Sequence, residues 1–125
     1  MLTPLKMPIK PLLTIILGPV NAEKDCQAVI FSGELDKPGY DNVKATLDEV
    51  VANFAPKTLI FDFTNLAFIN SESIGYLIDV QDKLAQRGKS FVVVGAAEHV
   101  KDVLKVLGVT EIIPMYQTVE DYVKS

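Results

Sequence analysis

The stretch IFDFTNLAFINSESIG, residues 60–75, is the most informative part of this chain for its fold. Its first part is apolar, as in a buried strand, and after a short turn the polar run Asn-Ser-Glu-Ser opens an amphipathic helix. Ser71 and Ser73 therefore fall in a first helical turn, where backbone N–H groups lack partners and the local dipole is positive. Such a position favours added negative charge, so one interpretation is a serine that accepts phosphate. The alternative is that these serines only cap the helix, and physics alone favours that alternative.

Length and composition indicate one globular domain. The chain has 125 residues, 49% of them hydrophobic and 22% charged, which suits one sizeable core but not two. We expect this domain to span residues 12–125, after an extended arm at residues 1–11 in which three prolines restrict the backbone. No segment approaches the roughly 18 uninterrupted apolar residues of a membrane helix, and no signal-peptide core is found. A reduced, cytoplasmic compartment is therefore expected.

The charge and the single cysteine argue against several classes of function. A formal charge of −4 leaves no basic face that could release counterions from nucleic acid. Cys26 is the only cysteine, so an internal disulfide and a cysteine-rich zinc site are excluded. We expect Cys26 to be a buried small hydrophobic residue.

Apolar, β-rich runs and runs of helical period alternate along the chain. The predicted strands cover residues 12–17, 26–35, 57–63, 90–94 and 111–113. The predicted helices run from Pro38 or Tyr40 to Phe54, and over about residues 72–86, 97–107 and 118–124. Strands that alternate with such helices need right-handed crossovers, whereas the first two strands form a hairpin. The sequence thus predicts an α/β fold with a mixed, mainly parallel sheet of four to five strands and about four helices.

No residue pattern of an enzyme is found. His99, the only histidine, lies at the start of a predicted helix and is expected to be a solvated surface residue. Phosphate-binding glycine loops and nucleophile elbows are absent, and the acids are scattered along helix faces rather than clustered as metal ligands. Asp62 is the one carboxylate inside a strand, and bonds to backbone amides or a place near the surface explain it better than catalysis. We therefore predict no catalytic residue, no metal and no cofactor.

Two segments in register carry a resemblance to a known family. The sequence SGELD, residues 32–36, ends the second predicted strand, and residues 60–75 form the third strand and the start of the next helix. Together they resemble the STAS domain, the module of sulphate transporters and anti-sigma factor antagonists. In that family a similar strand end precedes a strand, a turn and a helix start of the form D-S-x-G-[LI]-G. The resemblance spans residues 12–123 and implies the element order given above.

The resemblance also implies roles for residues by their position. Ser71 matches the serine that antagonists of this family present to a partner kinase, and Asp36 matches the acid that lies near it. Gly75 matches the second glycine of the motif. This chain departs from the family at two places, because Asn70 stands where the family usually has Asp, and Ser73 where it commonly has glycine. Ser73 thereby becomes a second candidate phosphate acceptor.

The expected partner surface combines the matched residues with Glu72, which adds a charge beside the serine. Its members are Asp36, Asn70, Ser71, Glu72, Ser73 and Gly75.

The favoured hypothesis is a protein-binding switch without catalysis of its own, an anti-sigma factor antagonist that controls sigma-factor-dependent transcription. Unmodified, the surface around Ser71 would dock onto an anti-sigma factor that is also a serine kinase, and phosphate on Ser71 would end the contact. A phosphatase is a further candidate partner. The alternative is a non-phosphorylated STAS scaffold subunit of a signalling or lipid-transport complex. Neither nucleic acid nor membrane insertion is expected, and the sequence leaves the oligomeric state open.

Overall fold

One sheet with helices on both faces is built from residues 12–125, which are the residues that the computed structural model describes. The arm predicted for residues 1–11 lies outside the described residues. The strands are β1 (Thr14–Leu17), β2 (Cys26–Leu35), β3 (Thr58–Ile69), β4 (Ser90–Val94) and β5 (Met115–Tyr116). The helices are α1 (Lys37–Ala52), α2 (Ser71–Gln86), α3 (Glu98–Val106) and α4 (Val119–Lys124), with a short 3-10 helix at Val109–Glu111.

The sheet has the strand order β1-β2-β3-β4-β5. β1 is antiparallel to β2, and every other neighbouring pair is parallel. The mixed, mainly parallel sheet and the four helices that the sequence predicts are therefore confirmed. β2 and β4 also have their predicted bounds, because short apolar runs flanked by polar or glycine residues mark strands in the middle of a sheet.

The main core lies between the sheet and helices α1, α2 and α3. Phe61 of β3 is at its centre, with ring centroids 4.7 Å from Phe31 and 4.7 Å from Phe91. On the other face α4 packs over a smaller cluster made of Cys26, Ile60, Val92 and Val94. Cys26 is a buried apolar residue, which confirms its predicted role.

Strand β3 runs to Ile69 instead of ending at Phe63 as predicted. Its far half stays paired with β2 as far as Leu35, across two register shifts. Thr64 and Asn65 are polar and exposed, which is typical of a turn, although they lie within an irregular strand. The longer strand carries the chain directly from the sheet edge into α2.

The fifth strand is displaced from its prediction at residues 111–113. The chain after α3 turns through Gly108, which has a left-handed backbone (φ 77°), into the 3-10 helix. Ile113 is fully buried and packs into the main core, but it is not part of a strand. Pairing with β4 begins only at Pro114, whose carbonyl accepts a hydrogen bond from the Val93 N–H at 3.1 Å. The prediction was wrong because short apolar runs do not distinguish a strand from a buried helical turn.

Candidate functional site: the first turn of helix α2

Helix α2 begins at the carboxyl edge of the sheet, and Asn70 fixes its start. The Asn70 N–H donates to the Leu35 carbonyl at 2.9 Å, which ties the helix start to the end of β2. The Asn70 side-chain oxygen accepts from the Ser73 N–H at 2.9 Å, so Asn70 is the N-cap. The alternative that the serines cap α2 is therefore wrong, because the preceding asparagine has that role.

Three exposed residues occupy the outer side of this first turn, and we call them the α2 surface: Ser71, Glu72 and Gly75. Ser71 is the first residue of α2, and its side chain is solvent-exposed. Gly75 is exposed one turn later, and a Cβ placed on it would meet no atom within 4 Å. The structure thus presents a hydroxyl at the positive end of a helix beside a bare stretch of backbone.

Ser73 lies on the opposite side of the same turn. Its side chain is 1% exposed, and its hydroxyl donates to the Leu35 carbonyl at 3.2 Å. The prediction of Ser73 as a second phosphate acceptor does not fit this position, because a kinase could not reach the oxygen. Leu77, one turn further along α2, is a core residue, so the helical period was the sequence signal for this burial.

Asp36 lies at the same edge of the sheet, at the start of α1. It is the N-cap of that helix, and its carboxylate accepts from the Gly39 N–H at 2.9 Å. Gly39 is required here, because a Cβ would stand 2.2 Å from the Glu34 carbonyl oxygen. The backbone joins the two helix starts, since Asp36 follows Leu35, whose carbonyl accepts from α2. The structure therefore brings Asp36 and the α2 surface to one edge, in the neighbourhood that the resemblance implies.

A polar network that the sequence analysis missed links α1 to α2. The Tyr76 hydroxyl, on a side chain 8% exposed, donates to Asp48 Oδ1 at 3.1 Å. Lys44 Nζ donates to the other carboxylate oxygen of Asp48 at 2.7 Å. The Tyr76 ring also meets the Tyr40 ring edge-to-face, with centroids 5.3 Å apart. The only sequence signal for this network was a tyrosine beside the core positions of α2.

The network has one stable protonation pattern near neutral pH. The hydrogen bond from Lys44 lowers the pKa of Asp48, against the opposing effect of burial and with help from the Tyr76 hydroxyl. Burial, followed by the charge of Asp48, raises the pKa of Tyr76 far above its ordinary value. Asp48 therefore remains an acceptor and Tyr76 a donor. This bond links α2 to α1.

His99 and Asp62 have structural roles. His99 is exposed as predicted, but its Nε2 also lies 2.6 Å from the Ala67 carbonyl and so links α3 to the end of β3. Asp62 Oδ1 accepts from the Thr64 N–H at 3.0 Å and from its hydroxyl at 2.6 Å. The predicted bond between Asp62 and a backbone amide is confirmed.

Among residues 12–125 no group of three or more His, Cys, Asp or Glu is placed to hold a metal ion. None of the helices in those residues has the length and apolar character needed to cross a membrane. A hollow of about 570 Å³ lies between Leu17, Val50 and Phe54, and Ser71 is not among the residues that line it.

Comparison with known proteins relates most of the chain to one family. The family model of the STAS domain matches residues 20–122. The anti-sigma F factor antagonist of Paenibacillus polymyxa is 27% identical over 88 residues, which is 70% of this chain and 75% of that protein.

Solved structures share the fold described above. An anti-sigma factor antagonist from Mycobacterium paratuberculosis superposes with a TM-score of 0.78 at 22% identity, covering 90% of this chain and 92% of its own. The Bacillus cell fate determinant SpoIIAA in its phosphorylated form superposes with a TM-score of 0.66 at 19% identity, covering 89% and 97%. At these identities the likeness shows the fold alone. Because the family model spans most of the sequence and the sheet order agrees, the chain belongs to the STAS domain family.

Proposed function

We propose that this protein is an anti-sigma factor antagonist whose α2 surface docks onto an anti-sigma factor. The observation that carries the proposal is the exposed Ser71 hydroxyl, held by the Asn70 cap at the sheet edge where Asp36 also lies. Support comes from the Paenibacillus polymyxa relative, which is named an anti-sigma F factor antagonist. Docking would release the sigma factor from the anti-sigma factor, and sigma-factor-dependent transcription could then proceed.

We further propose that phosphate on Ser71 is the switch that ends this contact. The phosphate would bring about −1.5 to −2 charges at pH 7. Since Ser71 opens α2 and is exposed, the helix dipole should favour that charge by about 0.3–1 kcal/mol, and the fold should remain intact. Bonds between Asn70, Leu35 and Ser73 hold the helix start from inside and are not touched by the phosphate.

The effect of the phosphate would therefore arise at the interface. Glu72 is already an exposed acid next to Ser71, so modification would place about three negative charges on one turn. A partner shaped for the neutral serine would have to desolvate or repel them. Because each 1.4 kcal/mol changes affinity tenfold, a loss of a few kcal/mol is enough to separate the proteins. The partner in this proposal is also the serine kinase, and a phosphatase would restore binding.

A second candidate function is a constitutive scaffold subunit in a signalling or lipid-transport complex. The observation that favours it is Ser73, which fills the first turn of α2 from the inside where the family commonly has glycine. Asn70 likewise leaves out the negative charge usual before the serine. In this case Ser71 would stay unmodified, and α2 would be a permanent contact surface.

The deciding experiment measures phosphate and binding together. Mass spectrometry of the protein from its own cells determines whether Ser71 carries phosphate. Tagged wild type, Ser71→Ala and Ser71→Asp are then compared for the complex that each retains from the same cells. The matched control is Ser90→Asp, which makes the same chemical change at an exposed serine at the start of β4.

We expect the anti-sigma factor to co-purify with wild type, Ser71→Ala and Ser90→Asp. Only Ser71→Asp should lose it. Unmodified Ser71 with equal binding by all four proteins would favour the scaffold. Loss of binding by Ser90→Asp as well would mean that added charge acts non-specifically, and the switch would be rejected.

A further inference from the structure

The hollow of about 570 Å³ lies at the end of α1 that is remote from Asp36. Helix α1 has 16 residues and is therefore about 24 Å long, so this space is separate from the α2 surface. Its floor includes Leu17 of β1 and Gln27 of β2, on the face of the sheet where Ile15 and Val29 join the main core. The last two turns of α1 form one side of it, and the loop after that helix closes it. We call this space the α1 hollow.

Several apolar side chains share the α1 hollow. Leu17 from the sheet, Val50 from α1, and Phe54 and Pro56 from the loop all line it. Leu17 is 51% exposed, and Val20, which lines it from the turn after β1, is 52% exposed. A concave space of this size with mainly apolar walls is typical of small-molecule sites.

Two cations hold the loop that closes the α1 hollow. Arg87 donates two hydrogen bonds of 2.7 Å, to the carbonyls of Val51 and Phe54. Lys89 Nζ donates two more, of 2.7 and 2.8 Å, to the next two carbonyls of the loop. Neither cation is among the residues that line the hollow, so both hold the loop from outside it. A wall fixed in this way lowers the entropy that a ligand must overcome on binding.

The charged residues that line the α1 hollow are all acids. Glu49 of α1 and Asp25 of the turn before β2 are exposed there, and no Lys, Arg or His of the described chain lines it. Within residues 12–125 neither carboxylate forms an ion pair or a side-chain hydrogen bond. The side-chain amides of Gln27 and Asn53 donate to backbone carbonyls, which leaves their oxygens as acceptors. A ligand complementary to this lining therefore carries positive charge.

We propose that the α1 hollow binds an organic cation with an apolar body, of the arylalkyl- or alkylammonium class. The apolar body lies against Leu17 and Val50, and the ammonium group faces Glu49 and Asp25. A metal ion does not fit, because in the described part of the chain no three His, Cys, Asp or Glu are placed to hold one. The formal charge of −4 adds a general attraction for cations.

A matched series of indole ligands tests the proposal on the full chain. Tryptamine is the cation, tryptophol has a hydroxyl in place of the ammonium group, and indole-3-propionate has a carboxylate there. Because the chain has no tryptophan, the fluorescence anisotropy of the indole reports the ligand alone. An exposed charge contact contributes roughly 1.5- to 5-fold in affinity, so with two carboxylates tryptamine should bind roughly 2- to 25-fold more tightly than tryptophol. Indole-3-propionate should bind more weakly than tryptophol.

Two pairs of variants identify the contacts. Glu49→Gln should weaken tryptamine binding by roughly 1.5- to 5-fold and leave tryptophol binding unchanged. Glu111→Gln makes the same change at an exposed acid outside the hollow, so it should affect neither ligand. Leu17→Ser should weaken both ligands, whereas Leu107→Ser, at a leucine 54% exposed just after α3, should weaken neither.

Amide NMR in the same titration locates the ligand, and the largest shifts should occur at Leu17, Val50 and Phe54. The site would be overturned if tryptamine showed no saturable binding, or if Leu17→Ser left its affinity unchanged. Equal affinities for the three ligands, or equal effects of Glu49→Gln and Glu111→Gln, would overturn the assignment of a cation.

Discussion

Two serines in one helical turn should respond in opposite ways to the same substitution. Ser71→Asp places a carboxylate on the exposed first residue of α2, where partnerless N–H groups point outward. Ser73→Asp places it at a side chain that is 1% exposed and hydrogen-bonded to the Leu35 carbonyl. The chemical change is identical at both positions, so the difference between the two changes in the free energy of unfolding reports only the two environments.

The expected magnitudes follow from these environments. At position 71 the helix dipole contributes about 0.3–1 kcal/mol in favour of the folded state. At position 73 the hydroxyl bond is lost, worth about 0.5–1.5 kcal/mol, and the new charge has a carbonyl oxygen as its neighbour. An uncompensated buried charge costs about 3–5 kcal/mol. For a domain of this size 1 kcal/mol is about 4 °C in Tm, so Ser73→Asp should lower Tm by roughly 12–20 °C.

Urea and thermal unfolding at pH 7 measure both variants, with Ser73→Ala as the neutral control for the missing hydrogen bond. Ser71→Asp should unfold at or slightly above the wild-type midpoint. The unfolding midpoint of Ser73→Ala should lie between those of wild type and Ser73→Asp. Protonation of the new carboxyl at low pH should recover part of the Ser73→Asp loss. The placement of α2 would be refuted if Ser71→Asp lost more than about 1 kcal/mol, or if Ser73→Asp unfolded like wild type.

Three further outcomes are expected from the same region. Gly75→Ala should raise the free energy of unfolding by about 0.5–1 kcal/mol, because a Cβ meets open space and alanine is the better helix former. The same substitution should weaken partner binding if the bare backbone is a contact. Titration calorimetry against the captured partner measures that change. Asn70→Ala should cost about 1 kcal/mol in urea unfolding because the cap of α2 is lost, whereas Asn70→Asp should cost little or nothing because aspartate also caps. The pKa of Asp48 is lowered in the folded state, first by the Lys44 hydrogen bond, so this carboxylate contributes stability that is present above its unfolded pKa of about 3.9 and is lost as pH falls through the folded value. Lys44→Met should therefore flatten the acid limb of a stability-versus-pH curve. Because the hydrogen bond to Asp48 raises the pKa of Lys44, the variant should also lose less stability as pH rises through the alkaline range.

Local sequence patterns were sufficient for the order of the elements. Continuous apolar runs located β2 and β4, and helical periodicity located α1, α2 and α3. The polar run after β3 also located the first turn of α2. These predictions succeeded because each depends on neighbours within one turn or one strand.

Two predicted strand bounds that depended on contacts between distant segments were wrong. The end of β3 was misplaced because its last residues are strand only while β2 runs beside them. The fifth strand was misplaced because a short apolar run can also be buried outside a strand, as Ile113 is. The Tyr76 and Asp48 contact joins residues 28 positions apart, and no local pattern could indicate it.

The sequence alone therefore determined that a polar, serine-bearing helix start follows a buried strand at one edge of an α/β sheet. The sequence left Ser71 and Ser73 both as candidate phosphate acceptors. Only the tertiary structure decided that Ser73 faces inward, because its partner, the Leu35 carbonyl, lies 38 residues away and reaches Ser73 only through the register of β2 on β3. That contact closes the inner side of the turn and leaves Ser71 as its one accessible hydroxyl.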